Sequence, residues 1–351
     1  MKKIKVGING FGRIGRAFLK IAWDRPEIEI VAINDLGDVN NMAYLLKYDT
    51  AYGKWKHNVQ VAENKLIIDA PSFAKATEGP RELKILSEKD PSKLPWKDLG
   101  VDVVVESTGI FVTYASAKIH LDAGAKKVVV TAPMKDEPQA GVEGATVLMG
   151  VNEEKFDTCI ITSNASCTTN ASSPLIAILD EGLGIEKALL NTAHALTNSQ
   201  PTVDSINKHN MREGRAGGHN IVPTSTGAAI AVTKAFPKLS GLFDGISMRV
   251  PVLVGSIVDI TFVSKKNTNA KEVNEILKKA SQEKRWQNIF SVTEEELVSS
   301  DILGSQYGCI ADLRLTRVVG GNLVKVMGWY DNEVGYTYTL VEHVIKTGNT
   351  I

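Results

Sequence analysis

Residues 163–172 read SNASCTTNAS, with one cysteine, Cys167, set among hydroxyl and amide side chains. A cysteine whose role is packing behaves as a small hydrophobe, and Cys159 in FDTCIIT keeps that company. Cys167 does not. The stretch SSPLIAILDEGL that follows predicts a helix with Pro174 in an early turn, so the thiol is expected just ahead of a helix start. There the unpaired N–H groups and the positive end of the helix dipole favour the thiolate, the nucleophilic form of the side chain. Taken alone, these residues fit either a reactive thiol or a polar loop cysteine.

A second constellation lies near the start of the chain. Gly10, Gly12 and Gly15 in NGFGRIG form a G-x-G-x-x-G pattern between a β-branched run, IKVGIN (4–9), and a helically spaced one, FGRIGRAFLKIAWD (11–24). Glycines at these positions allow a tight turn, close approach of a pyrophosphate to the backbone, and close packing of the helix, whose N-terminus then faces the phosphates. Asp35 closes the next strand, EIEIVAIND (27–35), at the spacing where an acid meets the adenine ribose hydroxyls. Without the glycines, Asp35 in INDLGD would read as a turn or cap residue. With them, the unit predicts dinucleotide binding.

The elements that must carry these groups follow from periodicity. Strand, glycine turn, helix and strand make a βαβ unit with parallel pairing and a right-handed crossover. VDVVVESTG (101–109), KKVVVTAP (126–133) and ATVLMGVN (145–152) continue the strands, with a helix from YASAKIHLDAGA between the first two. The first ~165 residues therefore predict an α/β, doubly wound parallel sheet. Beyond Cys167 the pattern changes to longer strands, KALLNTAHALT (187–197), GISMRVPVLVGSIVDITFVSK (245–265) and NLVKVMGWYD (322–331), with a helix from AKEVNEILKKASQ. These predict an α+β domain built on a mixed or antiparallel sheet. The tail EVGYTYTLVEHVIKTG is an amphipathic helix able to pack on either domain. APSFAKATEGP (70–80) reads as an enlarged surface hairpin, and residues 200–220 as an aperiodic stretch too long for a casual turn, hence functional or interfacial.

Composition narrows the function classes. The 351 residues predict about two domains, and 43% hydrophobic with 23% charged residues is an ordinary globular balance. Lys+Arg and Asp+Glu are both 40, so no net field points to nucleic acid or an anionic membrane. Three scattered cysteines form neither a disulfide framework nor a zinc pattern, and no metal site is expected. No apolar stretch reaches the ~18 residues of a membrane span, and Arg13 and Arg16 interrupt any signal-peptide core. The expectation is an intracellular, cytoplasmic protein.

INGFGRIGR, SNASCTTN, PTSTGAA, MRVP and WYDNEVGY, in this order, resemble the phosphorylating glyceraldehyde-3-phosphate dehydrogenase family, and the similarity runs from Lys3 to about Ile345. The resemblance implies a Rossmann-type NAD-binding domain (1–166, completed by a C-terminal helix 333–351) and a catalytic and oligomerisation domain (167–332). It implies a homotetramer that oxidises glyceraldehyde 3-phosphate with NAD and inorganic phosphate, in glycolysis or gluconeogenesis. Cys167 matches the family nucleophile and His194 its base. Ser166, Thr168, Thr226 and Gly227 fall where the attacking phosphate binds, and Thr197 and Arg249 where the substrate's own phosphate is held. Arg13, Ile14, Asp35, Lys89, Thr131 and Asn332 match positions that contact NAD. Paired with Cys167, His194 is expected to keep the thiol ionised. Each residue also has a plain structural reading: a hydrogen-bonded strand histidine, an ion-paired Arg249, a helix cap in TSTG, a turn at Asn332.

The chain departs from the family pattern in places. Ala171 stands where a second cysteine is common, Ser199 replaces an Asp or Thr, and the 70–80 insertion is larger than usual. Ser205-Ile206 stands where many NAD-specific members carry Leu-Pro. Two other functions draw on the same residues: the related erythrose-4-phosphate dehydrogenase, releasing acid by water attack, and a binding protein that retains the fold without turnover. Intact Cys167 and His194 argue against the last.

Cofactor choice follows from charge. A 2′-phosphate set against Asp35 meets like charge, which costs several kcal/mol, whereas one hydroxyl donor from Ser205 returns only about 0.5–1.5 kcal/mol. NAD is expected to be preferred over NADP by at least about tenfold in kcat/KM, the equivalent of ~1.4 kcal/mol, and Asp35→Ala should shrink that ratio. Equal rates with both cofactors in the unaltered protein would assign the choice to the long loop instead.

Overall fold

The computed structural model describes residues 3–74, 79–208 and 210–351. Residues 75–78 of the enlarged 70–80 segment, and His209 in the aperiodic stretch, lie outside the described residues. The chain divides into two compact units. One comprises Met1–Val147, Glu153–Ala165 and Leu340–Ile351, the other Leu148–Asn152 and Ser166–Thr339.

The first unit is built on a nine-stranded sheet in the order Gly144–Thr146, Ile161–Ser163, Lys127–Val130, Val103–Glu106, Ile4–Asn9, Ile28–Asn34, Arg81–Leu86, Lys65–Ile68, Val59–Ala62. Neighbours from Gly144–Thr146 through Arg81–Leu86 pair in parallel, and the last two strands add as antiparallel hairpins. Its central strands are covered on both faces, which is why Val103–Glu106 and Lys127–Val130 are buried throughout rather than alternating. Val6, Ile8, Phe18, Ile33, Val105 and Val129 share one core with Leu340, Val341 and Val344 of the last helix, Val334–Asn349. Gly10, Asp35 and Thr131 each follow the C-terminal end of a parallel strand, the edge at which doubly wound sheets bind ligands.

The second unit carries an eight-stranded mixed sheet in the order Val222–Ser225, Phe243–Arg249, Ile185–His194, Ser256–Ser264, Leu323–Tyr330, Cys309–Asp312, Phe290–Thr293, with Arg317–Val319 paired beside Leu323–Tyr330. The run 245–265, expected as one strand, is two. Pro251 and Gly255 lie in the break; Phe243–Arg249 pairs parallel to Ile185–His194 on one side, and Ser256–Ser264 pairs antiparallel to it on the other. The helix Cys167–Leu183 begins at the cysteine itself, with Ser166 as its N-cap, and Pro174 lies inside it rather than in an opening turn. Residues Thr168 to Leu179 of this helix are all buried, so it is enclosed rather than amphipathic.

His343 yields a test of the first unit. Its Nε2 lies 2.7 Å from Thr162 Oγ1 and its Nδ1 3.1 Å from Asn164 Oδ1, and burial, aided by the Lys346 charge, lowers its pKa to about 3. The folded protein holds this imidazole neutral, whereas the unfolded chain protonates it below its ordinary ~6.5. Stability is therefore lost as pH falls from about 6.5 toward 3, at up to about 1.4 kcal/mol per unit. In urea unfolding between pH 7 and 5, the native protein should lose stability more steeply than His343→Gln by close to one proton. Equal slopes would show that charging His343 does not oppose folding.

Candidate active site

Cys167 and His194 meet. Cys167 Sγ lies 3.3 Å from His194 Nε2, and both belong to the second unit. Cys167 is the first residue of its helix, one position further in than expected. The Ser166 hydroxyl accepts the Thr169 N–H at 3.2 Å and lies 2.8 Å from the Thr169 hydroxyl, capping the helix beside the thiol. His194 ends its strand, opposite Arg249 in the parallel register. That register brings Arg249 Nη1 to 2.7 Å from His194 Nδ1 and 3.3 Å from the Ala195 carbonyl.

The helix start and the His194 strand are held together by a residue that sequence reasoning did not single out. Tyr330 Oη lies 2.9 Å from Thr168 Oγ1 and 2.8 Å from Thr192 Oγ1, and Thr192 in turn donates to Ile257 O at 3.0 Å. The Tyr330 ring stands edge-on to the His194 imidazole, centroids 5.9 Å apart. The signal available was the alternation of LVKVMGWY, which turns Val324, Val326, Gly328 and Tyr330 to the buried face, so that the phenol needs an internal partner. A second relay starts next to His194: the Ala195 N–H donates to Ser256 Oγ (3.0 Å), which donates to Asn332 Oδ1 (3.2 Å), and Gly255 N–H donates there too (3.1 Å).

Both members of the pair resist charge. Burial raises the Cys167 thiol above its ordinary range, against the opposing pull of the Arg249 charge and hydrogen bonds from Thr168. Burial and then the same Arg249 charge lower His194 to about 4. Both shifts work against the thiolate–imidazolium pair expected from sequence. Burial is the first cause for both groups, and a guanidinium next to the ring adds to the cost of the imidazolium.

Around this pair, the Thr168 hydroxyl is committed to Tyr330. Thr226 and Gly227 sit between the strand Val222–Ser225 and the helix Ala228–Ala235, whose N-cap, Gly227, brings no side chain to the first-turn N–H groups. The Thr226 hydroxyl accepts the Ala228 N–H at 3.2 Å. Thr197 is exposed and tied to Ser199 (3.0 Å) and Gln200 (3.2 Å).

The glycine turn of the first unit fits a pyrophosphate. Gly10 has φ +94°, and a Cβ on it would lie 2.7 Å from Thr108 N; one on Gly15 would lie 2.2 Å from Gly10 O. Gly12 faces open space and, as N-cap of the helix Arg13–Ala22, offers its N–H groups no side chain. The Asp35 carboxylate accepts the Phe11 N–H (2.6 Å) and the Gly37 N–H (2.8 Å), which fixes it beside the turn. The Arg13 guanidinium is forked onto Asp49 at 2.6 and 3.3 Å, while Ile14 packs against the core. Lys89 is exposed on a loop pinned through Glu88, whose backbone exchanges bonds with the Asn34 amide. Under the turn, the buried Glu106 accepts from Asn9 (2.6 Å), His120 (2.9 Å), and the backbone N–H (2.8 Å) and hydroxyl of Thr108. Among the described residues no cluster could hold a metal ion, and no helix is long and apolar enough to cross a membrane.

Tyr330→Phe should strand the buried Thr168 hydroxyl and remove the donor to Thr192, which keeps its bond to Ile257 O, at a cost of about 1–3 kcal/mol, read as a lower urea midpoint. It should also change the alkylation rate of Cys167 while leaving NAD binding intact. An unaltered midpoint and unaltered alkylation would show that the phenol hydroxyl does not hold the helix start.

Comparison with known proteins covers both units. Residues 4–114 match the family description "Glyceraldehyde 3-phosphate dehydrogenase, NAD binding domain", and residues 166–332 match "Glyceraldehyde 3-phosphate dehydrogenase, C-terminal domain". The chain is 45% identical to the glyceraldehyde-3-phosphate dehydrogenase of Streptomyces coelicolor over 99% of each chain. It is 44% identical to glyceraldehyde-3-phosphate dehydrogenase 1 of Kluyveromyces lactis, over 97% of this chain and 99% of the relative. With the corresponding enzyme of Thermotoga maritima it shares 46% identity, over 96% of this chain and 97% of the relative. A glycine turn made for a pyrophosphate, a cysteine–histidine pair, and matches that run in order along nearly the whole length lead to one conclusion: this chain belongs to the glyceraldehyde-3-phosphate dehydrogenase family.

Proposed function

We propose that the protein oxidises D-glyceraldehyde 3-phosphate to 1,3-bisphosphoglycerate with NAD and inorganic phosphate, acting as a cytoplasmic homotetramer. The observation that carries this reading is the Cys167–His194 contact at a helix start, with Arg249 beside it, in a chain of this family. The segments 1–166 and 333–351 serve the cofactor in this reading, and 167–332 the chemistry and assembly.

The Cys167 thiol passes its proton to His194 Nε2 as the sulfur attacks the aldehyde carbon, and the imidazolium returns that proton to the carbonyl oxygen, so that a C–S bond and a thiohemiacetal hydroxyl form. Hydrogen bonds from Thr168 and the helix N-terminus favour the charge on sulfur. His194 Nε2 takes the hydroxyl proton of the thiohemiacetal, which leaves a thioester. NAD, when bound, supplies the two-electron acceptor for that oxidation. Gly10, Gly12 and Gly15 would cradle its pyrophosphate, with the backbone of Arg13 and Ile14 at the helix start; Asp35 would take the adenine ribose, with Lys89, Thr131 and Asn332 as further contacts. The Asn332 oxygen is occupied by Gly255 and Ser256, so its amide nitrogen is the group it offers. Phosphate oxygen then attacks the thioester carbonyl, the C–S bond breaks, and the acyl phosphate leaves as the thiolate is regenerated. Ser166, Thr226, Gly227 and the backbone at Cys167 and Thr168 suit that attacking phosphate, because hydroxyls and N–H groups bind an anion without neutralising it. Arg249 and Thr197 hold the substrate's own phosphate, where a planar guanidinium fork matches the oxygens.

NADH formation from glyceraldehyde 3-phosphate should continue past one turnover only when inorganic phosphate is present. An enzyme indifferent to phosphate would overturn this reading in favour of water attack. Cys167→Ser should lose nearly all turnover and keep NAD affinity. Arg249→Leu should weaken substrate binding by about 2–5 kcal/mol, seen in KM for the aldehyde and not in NAD affinity; an unchanged KM would make Arg249 structural.

A further inference from the structure

A run of buried side chains in the first unit has its direction fixed at both ends. At one end the Trp96 indole N–H, which only donates, lies 3.2 Å from His120 Nδ1. Nδ1 therefore carries a lone pair, and Nε2 carries the proton that it donates to Glu106 Oε2 at 2.9 Å. At the other end the Asn34 amide meets the backbone of Glu88. Its Oδ1 accepts the Glu88 N–H at 2.8 Å, and its Nδ2 donates to the Glu88 carbonyl at 2.9 Å. Backbone groups cannot exchange these roles, so the Asn34 amide has one orientation. Its Nδ2 also donates to Asn9 Oδ1 (2.8 Å), and Asn9 Nδ2 donates to Glu106 Oε2 (2.6 Å). Donors thus reach Glu106 from both ends, while its Oε1 accepts the Thr108 N–H at 2.8 Å. A carboxylate accepts on both oxygens and can end such a run; an amide cannot.

We propose that Glu106 is a positioning residue for the adenosine half of the cofactor, acting through Asn9 and Asn34 on the loop that carries Lys89; this rests on the reading of Asp35 and Lys89 as NAD contacts. Asn34 directly precedes Asp35, and Glu88 directly precedes Lys89, so one amide–backbone pair sets the spacing between the ribose acid and the loop beside it. The loop is braced within itself, because Glu88 Oε1 accepts the Asp90 N–H at 2.8 Å, so it moves as a piece. Asn9, Asn34, Glu106 and His120 are all buried, so water does not replace a lost partner and a reversal at one link passes to the next. In Glu106→Gln the new NH2 cannot face the Thr108 N–H, a fixed donor, and must take the Oε2 side. Asn9 then turns over to accept from it, and Asn34 turns in response. That sets Asn34 Oδ1 against the Glu88 carbonyl and Nδ2 against the Glu88 N–H, and both bonds to the loop are lost.

The test compares native protein, Glu106→Gln and the double variant Glu106→Gln/Asn9→Asp by amide hydrogen exchange, AMP calorimetry and NAD kinetics. In Glu106→Gln the Glu88 amide should exchange on the order of tenfold faster. AMP affinity should fall, and KM for NAD rise, by about tenfold (~1.4 kcal/mol), the net worth of one hydrogen bond. kcat at saturating NAD should change by less than about twofold, since a group acting on the adenosine half alone removes binding and leaves the chemical step. In the double variant the carboxylate sits at position 9 at unchanged net charge. There it accepts from the amide at 106 and from Asn34, which restores the native direction at Asn34. Exchange at Glu88 should slow again and AMP affinity recover. Both variants keep the same mismatch at His120, so a merely structural role for Glu106 predicts no recovery, and equal exchange and affinity in the two would overturn the proposal. Native AMP affinity in Glu106→Gln would overturn it as well. If Glu106→Gln does not fold, Asn34→Ala removes the last link while leaving the buried charge in place, and native AMP affinity there has the same consequence. Native protein that binds neither AMP nor NAD would instead remove the cofactor reading itself.

Discussion

A single phenol hydroxyl sets the geometry on which the second unit's chemistry depends. Tyr330 Oη touches Thr168, one residue into the helix from Cys167, and Thr192, two residues before His194. The helix start and the strand end are rigid bodies, and this bridge fixes the offset between them. The offset is worth fixing, because proton transfer demands hydrogen-bond reach and misplacement by an ångström can cost orders of magnitude in rate. Buried hydroxyls that all have partners also resist alternative packings, since breaking one leaves another unpaired.

Electrostatics in this site is decided by position more than by residue type. A helix N-terminus contributes about 0.3–1 kcal/mol to a nearby anion, up to about 2 in partly buried geometry. That is on the order of one pKa unit, and at Cys167 it opposes the burial that raises the thiol. Arg249 brings a full charge, but it acts on both members of the pair in opposite senses: it favours the thiolate and disfavours the imidazolium. The guanidinium thus modulates, in opposite directions, what burial sets first for both groups.

The dinucleotide turn depends on a different buried charge. Trp96 donates to His120 Nδ1 at 3.2 Å, which leaves His120 Nε2 as the donor to Glu106. Asn34 donates to Asn9, and Asn9 to Glu106. With Ser107 Oγ donating to the Gly10 carbonyl at 2.7 Å, this network ties the ends of three parallel strands to the backbone that would face the phosphates. A buried carboxylate is costly unless its oxygens are satisfied, and Glu106 is satisfied by four donors. The glycines supply the room, and the network supplies the rigidity.

The local patterns were legible in the chain alone. Glycine spacing, the acid at Asp35, the strand periodicities and the polar setting of Cys167 depend on neighbours a few residues apart, and local sterics and alternation encode them. The joining of Cys167 to His194 could be expected only through family resemblance. What escaped sequence reading involves partners far apart in the chain. Tyr330 looked like an ordinary inward strand residue, because nothing local says that its hydroxyl would bridge Thr168 and Thr192. The break of 245–265 into two strands was hidden by β-branched and apolar residues on both sides of it, although Pro251 and Gly255 marked it. The electrostatics of the cysteine–histidine pair is set first by burial and then by Arg249, which reaches His194 only because their strands pair in parallel with those two residues in register. Sequence by itself determined which groups are present and which elements carry them. Only the tertiary structure decided which proton and which charge each one holds, because burial and through-space contact, rather than order along the chain, set the energies of charged side chains.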